Sequence, residues 1–132
     1  MILDFCFLIA ETYTNGGRTS IGPSDALFLH PSNNPGTVLV SKAFDGLGFG
    51  SWKRALEIAL IAKNKFCFVN GSCKKHKSCS TELQSWERCN SMVISWILNA
   101  LSKEILEIVV YVTTASEVWL ELKERFGQLN GP

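Results

Sequence analysis

The second half of the chain carries a run of apolar residues at a spacing that only a helix can use. TELQSWERCNSMVISWILNALS sets Leu83, Trp86, Cys89, Val93, Trp96, Ile97, Ala100 and Leu101 on one stripe, about five turns of amphipathic helix. An apolar face of that length has to be covered, and the neighbouring segments offer matching faces. In SWKRALEIALIAKNK, Trp52, Leu56 and Leu60 fall at i, i+4 and i+8 with Ala55 and Ala59 beside them, and Ser51 stands where an N-cap belongs. TASEVWLELKERFG opens with Thr114 three residues before Glu117, a capping-box pattern, and sets Val118, Trp119, Leu122 and Phe126 on one side. Glu121 and Arg125 make a favourable i, i+4 pair on the wet side. KEILEIVVYVTT is ambiguous: its β-branched residues favour a strand by propensity, while Ser102 as an N-cap and the helical neighbours favour a short helix. The expected fold is all-α, a small bundle of about four helices near 51–64, 81–101, 103–111 and 115–126 with an irregular N-terminal leader.

The first part of the chain lacks any such period. Residues 11–26, ETYTNGGRTSIGPSDA, are rich in Gly, Ser, Thr and Asn and read with the segment before them as a flexible leader over 1–26. In LFLHPSNNPGTVLVSKAF, two Pro-containing turns bracket short apolar pieces, and Thr37 to Val40 suit an extended segment. MILDFCFLIA is apolar, but Asp4 interrupts it and it is too short to span a bilayer. At 132 residues the chain fits one domain, and 46% apolar residues supply its core. Thirteen Lys and Arg against twelve Asp and Glu leave no global field to recruit nucleic acid or an anionic membrane, so any such attraction must be local. Five cysteines, Cys6, Cys67, Cys73, Cys79 and Cys89, cannot all pair internally, and reduced thiols in a cytoplasmic protein are expected.

Little in the sequence points to catalysis or to a cofactor. Gly46, Gly48 and Gly50 alternate, but the sixth position of a dinucleotide fingerprint is Ser51, so a turn before the first long helix is the expected use. His30 and His76 lie in loop-like sequence with no nucleophile patterned around them. Cys73, His76 and Cys79 follow a Cys-x2-His-x2-Cys spacing to which Cys67 or Cys89 could add a fourth zinc ligand, but metal sites usually present two close pairs, and no metal is expected. Cys89, on the apolar stripe, reads as buried filler. Lys63, Lys65, Lys74, Lys75 and Lys77 form a run without an acid, interleaved with Phe66 and Phe68. Such a run can grip single-stranded RNA by phosphate contacts and stacking, or it can be a solvated loop over two core phenylalanines. Trp52, Trp86, Trp96 and Trp119 lie on the apolar stripes and are expected to anchor the core. A stripe left partly exposed would instead form a subunit interface.

Three stretches carry a resemblance to a known family: LHPSNNPGTVLVSKAFDGLGFGSWKRALEIALIAKNKFCFVNGS, WERCNSMVISWILNALSKEI and ASEVWLELKERFGQLNGP. In this order they resemble the N-terminal Gag-like domain of plant Copia-type retrotransposon polyproteins, over residues 27–132. Where the family usually has an Asn-Tyr pair before the tryptophan, this chain has Gly48 and Phe49. It stops at NGP, where the family continues into further helix. The sequence contains no zinc knuckle, no Asp-Thr/Ser-Gly protease motif, and no integrase or reverse transcriptase. The resemblance implies a non-enzymatic structural module that self-associates in particle assembly around element RNA. The alternative is a monomeric remnant that binds single-stranded RNA weakly or serves as a protein adaptor. Neither reading needs a cofactor, a small-molecule substrate or a membrane.

Overall fold

The computed structural model describes residues 22–75 and 81–127. Within them lie five helices and no strand: α1 (Phe49–Ala62), the one-turn α2 (Cys67–Asn70), α3 (Thr81–Asn99), α4 (Lys103–Val109) and α5 (Ala115–Phe126). The all-α expectation holds, with one short helix more than expected. Of the leader expected over 1–26, residues 1–21 fall outside the described residues and 22–26 belong to an irregular strap.

Local chemistry explains the helix limits. The first helix starts at Phe49 rather than Ser51, because Gly48 takes the left-handed conformation (φ 72°) that a cap without a side-chain bond needs. Ser51 therefore sits inside the first turn and caps nothing. The helix ends at Ala62, two residues earlier than expected, where Asn64 enters the left-handed region (φ 60°) and the Lys65 and Asn64 amides bond back to the Leu60 and Ile61 carbonyls. This paired closure is a Schellman stop. Ser102 and Thr114 cap α4 and α5, accepting from the amides of Ile105 and Glu117. The β-branched segment is helical because Ile105 and Val109, one turn apart, both bury on that face. It stops at Val109, and Tyr111 stands 91% exposed.

The long α3 forms the centre. Trp86, Cys89, Val93, Trp96 and Ile97 bury along it, and α5 covers it with Ala115, Val118, Trp119 and Leu122. At one end the rings of Phe44, Phe49, Trp52, Trp119 and Phe126 pack with centroids 4.9 to 6.3 Å apart, an aromatic cluster joining α1 to α5. Thr37–Val40 forms no strand. The extended pairing falls instead at Phe44, whose amide donates to Ala100 and whose carbonyl accepts from Ser102, an isolated parallel bridge to Leu101. Residues 22–37 run as an irregular strap of turns, tied to the bundle by side-chain donors from α3 and from the turn between α1 and α2.

Candidate functional site

The strap ties show what several polar side chains do. Its carbonyls at Ser24, Leu27, Phe28, Asn34 and Pro35 accept from Asn64, the Cys89 thiol, Lys65, Trp96 and Asn99 respectively. A segment without secondary structure must place its carbonyls somewhere, and here the bundle supplies the donors. The four tryptophans are all buried. Three of them also tether backbone: Trp52 donates to Ala100, Trp86 to Cys73 and Trp96 to Asn34, at 2.8 to 2.9 Å. Sequence periodicity identifies the burial but has no means to identify these acceptors.

The five lysines do not form one patch. Lys65 is 2% exposed, and its ammonium donates to the Phe28 carbonyl at 2.7 Å. That removes it from the basic surface expected of the run. The reason is the Schellman turn before it, which points the chain back under the strap. Lys63 lies over the Trp96 ring, 5.1 Å from its centroid. Lys74 and Lys75 are exposed, and Lys75 reaches both the Trp86 ring and Glu87. Trp86 and Trp96 are about 15 Å apart along α3 at its helical rise, so Lys63 and Lys75 serve different ends of the molecule. Lys77 falls outside the described residues, as do His76 and Cys79 of the zinc-like spacing. Phe68 is buried against Trp86 and has no free face for stacking on a base, while Phe66 is half-buried and meets Trp119 edge-on.

Of the described thiols Cys89 is buried, and Cys67 and Cys73 are half-buried. Burial and a hydrogen bond with Cys73 push Cys67 up to about 12, and burial also raises Cys89, with the charge of Lys65 opposing both shifts. Thiols held protonated in this way are poor nucleophiles and poor metal ligands. Among the described residues, no group of three or more His, Cys, Asp and Glu is placed to hold a metal ion. Gly46 and Gly48, both at positive φ, form the turn into α1.

Two features escaped the sequence reading. Asn90, 6% exposed beside Cys89 on the α3 stripe, donates to the Thr113 carbonyl and accepts from the Ala115 amide, clamping the entry of α5. Its signal was present as a polar residue at an apolar position. The other is the outer side of α1. Ala55 lies there with Ile58, Ile61 and Ala62, all exposed, whereas the sequence reading set Ala55 beside the buried face. Ile58 and Ile61 are 51% and 57% exposed, which gives α1 a second, outward apolar group that it shares with the exposed Arg54.

Among the described residues, no helix is long and apolar enough to cross a membrane. No curated protein and no solved structure matches the chain. Residues 30–75 match the family model for the Gag-polypeptide of LTR copia-type. This segment holds the strap turns, the Gly46 and Gly48 turn, α1 and α2. Over this segment, about a third of the chain, the protein is similar to the Copia-type Gag polypeptide.

Proposed function

We propose that the domain is a non-enzymatic assembly module of a retrotransposon-derived protein, working in the cytoplasm and self-associating through the outer side of α1. The observation that carries this reading is the exposed group Ala55, Ile58, Ile61 and Ala62, set opposite the buried Trp52, Leu56 and Leu60. A helix apolar on two sides wants a partner on each, and the bundle covers one. The family supports a second copy as that partner, since Gag domains generally self-associate and bind nucleic acid. Light scattering at rising protein concentration should show dimers or larger species. Exchanging Ile58 and Ile61 together for Glu should return the protein to monomer with its helical circular dichroism unchanged. A strict monomer at high concentration would sink the assembly reading.

The exposed Lys74 and Lys75 favour a second reading, a monomeric module that binds single-stranded RNA through this loop and Lys77. That reading expects RNA affinity to fall with salt at a log–log slope of roughly −2 for three contacts. Monomer with such a slope would favour it, and monomer without RNA binding would leave a protein adaptor.

A further inference from the structure

Beside the Schellman stop of α1 lies a cleft of about 390 Å³, open to solvent between the end of that helix and the strap. Lys63, Asn64 and Lys65 line one wall, and His30, Ser32 and Asn33 line the other. Two lysines and one acid line it. Lys65 is almost wholly buried, its ammonium has a single carbonyl as partner, and no carboxylate among the described residues lies within ion-pair distance. Lysines are rarely buried unless paired, and an ammonium so placed is costly unless an anion comes near. Lys63 is likewise without a carboxylate, resting on the Trp96 ring. The one acid on the lining, Asp25, is exposed and accepts from the Leu27 amide. The Asn33 backbone amide donates to the His30 carbonyl at 2.9 Å, while the Ser32 hydroxyl and the Asn33 side-chain amide have no hydrogen-bond partner among the described residues and can donate into the cleft.

We infer that this cleft binds a phosphate group: two uncompensated ammonium charges attract the anion, and Ser32, Asn33 and His30 supply the donors around its oxygens. The charge-assisted bonds that phosphate accepts are the strong ones. The inference does not depend on self-association, and the cleft is distinct from the Lys74 and Lys75 loop. The phosphate can belong to a single-stranded nucleic acid or to a small free phosphate.

The test uses the full chain in low salt, reading the amide resonances of Asn33 and Asn64 by heteronuclear NMR. Inorganic phosphate and a single-stranded oligouridylate are titrated separately. Shifts with both, with RNA displaced by phosphate, support the site and name nucleic acid as the source. Shifts with phosphate alone support it with a small phosphate as the source. Lys63→Gln should weaken binding several-fold and flatten the RNA salt slope by about 0.7, and Asn33→Ala should weaken it without altering that slope. Lys65 is left in place because it holds the strap. The proposal is overturned if neither ligand moves these resonances, or if Lys63→Gln and Asn33→Ala bind as tightly as the native chain while their circular dichroism is unchanged.

Discussion

Trp96 combines two jobs that usually fall to different side chains. Its ring is fully buried in the last turn of α3, and its indole N–H holds the strap at Asn34. Trp96→Ala should therefore cost about 3–5 kcal/mol from the cavity alone, a large part of what a domain of this size has. Urea unfolding followed by circular dichroism would measure it, and a loss under about 1 kcal/mol would contradict the burial. Asn90 and Lys65 belong to the same class of residue, buried and polar, each fixed by backbone groups from another part of the chain. Their neighbours in sequence do not announce these partners, because hydrogen bonds that span 23 to 37 positions leave no local period.

Among the elements, the caps were the most legible. Ser102 and Thr114 act where a short polar residue precedes an apolar run, since the orphan amides of a first turn are satisfied locally. Thr114→Ala should destabilise by about 0.5–2 kcal/mol, read as a lower thermal midpoint, and Thr114→Ser should restore most of it. The start of α1 was misread for a related reason. Ser51 has the right chemistry for a cap, but Gly48 has the backbone freedom, and the turn through Gly46 and Gly48 sets the chain into the helix before Ser51 is reached. Thr37–Val40 shows the opposite error: β-propensity expresses packing on a sheet, and no neighbouring strand is at hand for it.

The molecule as a whole couples its interior to pH through its thiols. Cys67 and Cys89 are both held protonated by burial, above their ordinary 9.0. A raised folded-state pKa gives stability that is intact below pH 9 and lost as the pH climbs toward 12, because the unfolded thiol ionises first and the folded one does not. Thermal midpoints should thus decline as the pH rises from 9 toward about 12. Cys67→Ala should lessen that decline relative to the native chain, and an identical decline in both would assign it to other groups. The same interior organises the strap: it has no core of its own, and its path is set by donors on α3 and in the turn between α1 and α2.

By itself the sequence determined the four longer helices, the caps at Ser102 and Thr114, and the burial of Trp52, Trp86, Trp96 and Trp119, because periodicity and capping act within a few residues of the chain; the one-turn α2, too short for a period, it left as loop. The quoted stretches also carried the family resemblance, and the family match falls on residues 30–75. Tertiary structure decided which of the lysines remain on the surface, which carbonyls of the strap are paired, and that α1 keeps an exposed apolar side. These outcomes depend on which distant groups meet in space. A lysine run, a strap and a helix face look the same in sequence whether the rest of the molecule covers them or leaves them to solvent.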